Sequence, residues 1–210
     1  MLEIKNISSG YGKKQVLYDV SLDLNKGEGV LLSGGNGSGK STLLKCIYNI
    51  VPLWSGEIYF EGKRINGFKP FDLIRMGIVY IPQKDFCFDN LTIEENLQIA
   101  GTIYSKVVLN QRINKVYDLT GLDSLKKRMP FNLSGGEKKL LAFGMGLLHQ
   151  PKLILFDEPL AGVDAKTSKL INDICQIELL ERNVSSIFVE HKNELKISRF
   201  KILNLELGKL

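Results

Sequence analysis

The segment that most constrains this chain is Gly34-Gly35-Asn36-Gly37-Ser38-Gly39-Lys40-Ser41-Thr42. It follows Glu28-Gly29-Val30-Leu31-Leu32-Ser33, an apolar run without alternation, as expected of a strand buried on both faces. It precedes Ser41 to Ile50, which reads as a helix. Strand, glycine loop and helix, with Gly34, Gly39, Lys40 and Ser41 in their places, fit the phosphate-binding P-loop pattern. Glycines let the backbone take positive φ and turn successive N–H groups toward a phosphate. The helix start adds its partial positive charge. Lys40 supplies a point charge to the β- and γ-phosphates of a nucleotide, and the Ser41 hydroxyl can ligate Mg²⁺.

The rest of the pattern fixes the fold class. Residues 1–33 read as strands, with Val16, Tyr18, Val20, Leu22 and Leu24 alternating on one face. Ile58 to Phe60 and Gly77 to Ile81 are further strands. From about 91 to 134 the chain turns mostly helical: Thr92 and Glu95 form a capping-box pattern, and a second helix runs from about Leu109 to Thr120. Ser134 opens a helix to about His149, and Leu153 to Phe156 is a buried strand. Ala165 to Glu181 reads as an amphipathic helix with Leu170, Ile174 and Ile177 inward. Ser185 to Glu190 is a strand, a helical turn falls near Glu194 to Ser198, and Phe200 to Leu207 gives one or two strands. Alternating strands and helices imply an α/β fold with a largely parallel sheet. A length of 210 residues suits one domain, here carrying a helical insertion over about 91–134.

Composition removes several alternatives. With 44% apolar and 24% charged residues the chain is neither disordered nor a membrane span. No apolar stretch approaches the ~18 residues of a transmembrane helix. The start, Met1-Leu2-Glu3-Ile4-Lys5, lacks a basic-then-apolar leader pattern, so secretion is not expected. Cys46, Cys87 and Cys175 form neither a disulfide framework nor a metal pair, which suits a reducing cytoplasm. Only His149 and His191 are present, which excludes a histidine-rich metal site. A net charge of +5 suits a phosphate-rich ligand but does not argue for nucleic acid. Lys126-Lys127-Arg128 reads as a solvated helix end.

Two further motifs carry chemistry. In Leu153-Ile154-Leu155-Phe156-Asp157-Glu158, two carboxylates sit at the C-terminal end of an apolar strand, the edge where parallel α/β sheets bind ligands. Asp157 would help hold Mg²⁺, and Glu158 could activate a water. In Leu133-Ser134-Gly135-Gly136-Glu137, Ser134 and Glu137 form a capping box, and the two glycines permit close approach of backbone N–H groups to an anion.

Together these residues resemble the ATP-binding-cassette (ABC) ATPase family across 1–210. Gly34–Thr42 looks like its Walker A loop, Leu133–Glu137 its signature motif and Leu153–Glu158 its Walker B strand. The resemblance implies a P-loop NTPase core, an N-terminal antiparallel β-subdomain and an inserted helical subdomain. It implies that Tyr11 stacks on adenine, that Gln83 is the Q-loop glutamine reaching Mg²⁺, that Asp164 is the D-loop aspartate and that His191 contacts the γ-phosphate. It also implies a head-to-tail pair of cassettes. The P-loop of one then faces Ser134 and Gly136 of the other. Departures are Gly35 where the family often has Pro, Glu137 for Gln, and Leu160 and Ala161 for the usual Thr and Ser. The segment from His191 to Phe200 is shorter than usual, and no C-terminal regulatory domain is expected.

The resulting expectation is an ATPase subunit using ATP and Mg²⁺, on the inner face of the cell membrane. A second cassette and integral membrane permease subunits would be its partners. Gly77 to Gln83 and Asn90 to Leu97 look similar to branched-chain amino acid importer cassettes. A permease helix is expected to dock near Gln83 to Asn96. The alternative is a non-transport ABC ATPase. DNA-acting members generally carry long coiled coils, and no long heptad run lies between Lys40 and Phe131. Translation-acting members generally carry two cassettes per chain, which leaves cofactor assembly as the remaining alternative.

Overall fold

The computed structural model describes residues 1–84, 87–178, 182–190 and 200–210. His191 and the helical turn expected near 194–198 lie outside the described residues. In chain order the strands are β1 (Leu2–Tyr11), β2 (Lys14–Leu24), β3 (Gly29–Ser33), β4 (Leu53–Phe60), β5 (Lys63–Arg64), β6 (Ile78–Ile81), β7 (Leu153–Asp157), β8 (Ser185–Val189) and β9 (Phe200–Asn204). The α-helices are α1 (Lys40–Ile47), α2 (Pro70–Met76), α3 (Ile93–Ala100), α4 (Lys106–Thr120), α5 (Gly135–Leu147) and α6 (Ala165–Gln176).

Two sheets form. One is antiparallel in the order β2-β1-β4-β5, and the other is parallel in the order β6-β7-β8-β3-β9. Every residue of β7 is buried, as its unbroken apolar run requires of a strand covered on both faces. Side chains alternate through the parallel sheet. Leu31, Val79, Ile81, Ile154, Phe156 and Phe188 pack with residues of α3 to α6, while Val30, Leu32, Ile78, Leu155 and Ile187 pack with α1 and the antiparallel sheet. Phe143, Phe156, Phe188 and Phe200 form a row with ring centroids 5.4–5.8 Å apart. Among the described residues no helix is long and apolar enough to cross a membrane.

Three local readings need correction. The alternation in β2 breaks: Leu17 is fully buried and Tyr18 is exposed, whereas Val20, Leu22 and Leu24 point inward. The cause is an irregularity at Asp19 (φ 48°), where the pairing with β1 slips between Ile7↔Val20 and Ser9↔Leu17. An extra residue in a strand flips the face of everything beyond it. In α6 the inward face is Ile171, Ile174 and Cys175; Leu170 is half-buried and Ile177 is exposed. Helix α2 was not anticipated, although Pro70 at its start and left-handed Gly77 (φ 95°) at its end are the expected punctuation. The capping boxes of α3 (Thr92, Glu95) and α5 (Ser134, Glu137) form as the sequence implies. Lys126 pairs with Asp123, and Lys127 with Glu94.

This topology decides where the motifs meet. Strands β6, β7, β8 and β3 are parallel, with Tyr80↔Leu155, Asp157↔Val189 and Leu32↔Val189 in register. Their C-terminal ends therefore release Gln83, Glu158 and the glycine loop along one edge of the sheet.

Candidate functional site

That edge opens into a cleft of about 650 Å³. Tyr11, Asn36, Gly37, Ser38, Gly39, Lys40, Ser41, Thr42, Gln83 and Glu158 all line it. Gly34 and Gly35 open the same loop, and the Lys40 ammonium donates to their carbonyls at 2.8 and 2.9 Å. Only glycine fits at position 34. Its φ is 142°, and a Cβ there would sit 2.2 Å from the Leu205 carbonyl oxygen. Gly35 has open space and no positive φ, so the departure at this position carries no steric demand.

Helix α1 begins at Lys40 behind left-handed Gly39 (φ 108°), with no side-chain cap and no acidic residue in its first turn. Its first amides and its dipole are thus left for an anion in the cleft. The Ser38 hydroxyl, buried in the same loop, has no hydrogen-bond partner among the described residues. An orphaned donor beside glycine amides is what a bound phosphate oxygen satisfies. Burial lowers the Lys40 pKa, while Glu158 and Asp157 oppose that shift.

Asp157 ends β7 with its side chain almost fully buried. It accepts from the Ser41 hydroxyl at 2.9 Å and from the Tyr80 phenol at 3.4 Å. Burial raises the Asp157 pKa, and the Ser41 hydrogen bond lowers it. Burial, then the Asp157 charge, raises that of Tyr80. Ser41 and Asp157 are two adjacent oxygen donors. Among the described residues no cluster of three His, Cys, Asp or Glu could hold a metal. Mg²⁺ suits such a partial donor set, because it takes one or two protein oxygens and completes its shell with phosphates and water.

Glu158 leaves β7 in the left-handed region (φ 53°), a backbone state uncommon for a non-glycine residue. Its N–H donates to the Val189 carbonyl at 3.0 Å. Its carboxylate accepts a hydrogen bond from the Gln83 side-chain amide. Its own carbonyl accepts from the Lys139 ammonium at 3.0 Å, and Lys139 also donates to the Gln83 carbonyl at 3.1 Å. Lys139 is a site residue that the motif reading missed. Its signal was a cation on a helix face shared with Gly135, Gly136, Ala142, Phe143 and Gly146.

Ser134, Gly135 and Gly136 lie away from the P-loop cleft. Gly135 lines a second cavity of about 400 Å³ with Gln83, Cys87, Lys138 and Ala161. The Ser134 hydroxyl accepts from the Glu137 N–H at 3.2 Å, and Glu137 accepts from the Ser134 N–H at 2.7 Å. A Cβ at Gly136 would fall 2.6 Å from the Thr167 hydroxyl, so this glycine has a packing reason within the chain, against α6. Asp164 caps α6, accepting from the Lys166 and Thr167 amides and the Thr167 hydroxyl. Tyr11 is exposed at the cleft mouth, with its hydroxyl 3.5 Å from that of Thr42.

A chain with this parallel core, P-loop and carboxylate pair is a P-loop nucleotide hydrolase. The family model described as "ABC transporter" matches residues 17–161. A probable branched-chain amino acid transport ATP-binding protein, LivF, of Archaeoglobus fulgidus is 37% identical over 174 residues, covering 82% of this chain and 74% of that protein. The high-affinity branched-chain amino acid transport ATP-binding protein BraG of Pseudomonas aeruginosa is 37% identical over 196 residues, covering 92% and 82%. The fold superposes on the ATP-binding cassette MJ0796, solved as a dimer in a post-hydrolysis state with ADP and Pi. The TM-score is 0.90 at 25% identity, over 100% of this chain and 96% of that one. The cassette MJ1267 in its ADP conformation gives 0.85 at 29%, over 100% and 88%. This chain belongs to the ABC transporter family, as an ATP-binding, ATP-hydrolysing subunit.

Proposed function

We propose that residues 1–210 act as one cassette that binds ATP in the P-loop cleft and, paired head to tail with a second cassette, drives transport through separate membrane permease subunits. The carrying observation is the convergence of Lys40, Ser41, Asp157, Glu158 and Gln83 at one sheet edge. In this reading Tyr11 stacks on the base. The glycine-loop amides, from Gly34 through Thr42, and Lys40 hold the phosphates. Mg²⁺ would be held by Ser41, Asp157 and Gln83, and when bound it neutralises developing phosphate charge. Glu158 takes the proton of the attacking water, and its bond to Gln83 orients it for this task. His191, which lies outside the described residues, would contact the γ-phosphate. Ser134, Gly135 and Gly136 close over the nucleotide of the partner cassette. Their separation from the P-loop cleft within one chain supports that arrangement.

A groove of about 240 Å³ between the core and the helical insertion supports permease docking. Tyr48, Ile74, Pro82, Ala100, Met145 and His149 line it, and it adjoins the Gln83 segment. The LivF and BraG relatives support branched-chain amino acids as cargo and the inner face of the cell membrane as the location. Affinity purification from membranes tests the assembly: polytopic proteins should co-purify, and recovery of soluble partners alone defeats it. Uptake of labelled leucine into cells lacking the chain tests the cargo.

A further inference from the structure

Lys139 lies one turn into α5, the helix whose first residues are Gly135 and Gly136. Its side chain is only 5% exposed. The ammonium donates to two main-chain carbonyls, Gln83 at 3.1 Å and Glu158 at 3.0 Å, which leave the sheet from different strands. The side chains of Gln83 and Glu158 are bonded to each other as well. The result is a closed ring in which a cation from the helical side holds together two residues of the core. Burial disfavours the charge of Lys139, and Glu158, Glu190 and Asp157 sustain it. Glu190 is itself tied in, accepting from the Leu160 N–H at 3.2 Å. Meanwhile Glu158 occupies a strained backbone region, which persists only where surrounding contacts over-determine it. The Val189 carbonyl accepts from the Glu158 N–H, and the Lys139 ammonium donates to the Glu158 carbonyl, so the residue is held at both ends.

We propose that Lys139 is a positioning residue for hydrolysis: it locks the Glu158 backbone to the Gln83 segment, and it transmits displacement of α5 to the Glu158 carboxylate. Because α5 begins at the serine–glycine segment, engagement of that segment by a partner's nucleotide shifts the same rigid rod that carries Lys139. A helix moves as a unit, so a shift at its first turn arrives at the next. Nucleotide grip is untouched in this scheme, since Lys139 does not line the P-loop cleft. The inference rests on the reading of Glu158 as the carboxylate that handles the attacking water.

The test uses the full chain with Lys139→Met, Glu158→Gln and the double variant. Binding is followed with a fluorescent ATP analogue, and chemistry by single-turnover hydrolysis of ATP. Lys139→Met should slow hydrolysis on the order of 10–100-fold, the usual cost of a misplaced catalytic group, with nucleotide affinity within about threefold of the parent. In the Glu158→Gln background it should cause no additional loss, because a residue acting through Glu158 has nothing left to position. Unchanged hydrolysis, a parallel fall in affinity, or a fully additive loss in the double variant overturns the proposal. If Lys139→Met does not fold, Lys139→Gln is read by the same criteria. Normal hydrolysis by Glu158→Gln removes the reading of Glu158 itself, whatever Lys139 does.

Discussion

Two helices of this chain begin at glycine-rich segments, and they begin differently. Helix α1 starts behind left-handed Gly39 with no side-chain cap and no acid in its first turn. Helix α5 starts at Ser134 with a complete capping box, and Glu137 lies in its first turn. The first leaves its amides and positive end open toward a cleft of the same chain. The second has satisfied part of its amide set and put an acid at its own positive end. The same helix start can thus be an anion site or a finished structural joint, depending on what the flanking side chains have already consumed. Of these two helices, α1 is the one prepared to take phosphate from its own cleft. In the proposed head-to-tail pairing, the α5 start meets a nucleotide held by the other subunit.

The comparison can be broken first at the catalytic edge. Glu158→Gln should lower ATP hydrolysis by roughly 10²–10⁴-fold while nucleotide binding persists and, with ATP, a dimer accumulates on gel filtration. Normal turnover by that variant would detach the β7 carboxylate from the chemistry. Next, Lys40→Ala removes the cation of the α1 loop and should weaken ATP binding by roughly 10–100-fold, the worth of a charge-assisted hydrogen bond. Equal affinity in a nucleotide titration would show that α1 is not the phosphate end.

The far end of α5 supplies a third, smaller effect. His149 follows that helix, with Nδ1 3.2 Å from the Tyr104 hydroxyl, and Arg112 stacks on the Tyr104 ring at 3.9 Å. Burial first, then the Arg112 charge, pushes the His149 pKa down to about 4. The unfolded chain gains a proton as pH falls below about 6.5, and the folded chain does not until about 4. Stability is therefore full above about pH 6.5 and is lost as pH falls through that window, by about 2 kcal/mol once partial exposure is allowed for. His149→Gln should flatten this slope in urea titrations run across the window; an unchanged slope would place the acid sensitivity elsewhere. Smallest of all, Ser134→Ala should cost about 1 kcal/mol of stability through the lost cap. It should leave ATP binding by the monomer unchanged while slowing hydrolysis in the dimer. Weaker monomer binding in the same titration would erase the distinction between the two helix starts.

Much of the fold could be read directly. The P-loop, both capping boxes and the buried β7 run are local patterns whose physics acts within a few residues, and each stands where the sequence implied. Two readings strayed where neighbours decided, and one residue went unread. The slip at Asp19 is set by pairing with β1, and it turned Leu17 inward in place of Tyr18. The inward face of α6 is set by what it packs against, which selected Ile171 over Ile177. Lys139 carried no motif, because its meaning comes from two carbonyls distant in sequence.

What the sequence alone determined is the chemistry on offer: a glycine loop able to cradle phosphate, a lysine, a hydroxyl and two adjacent carboxylates. Those properties belong to residue types and short spacings. Only the tertiary structure decided which of them meet. Parallel pairing of β6, β7, β8 and β3 brings Gln83, Glu158 and the loop to one edge, and it leaves Ser134–Gly136 apart from it. Strand order and register are long-range packing outcomes, settled by which apolar faces can be buried together, and no local pattern encodes them.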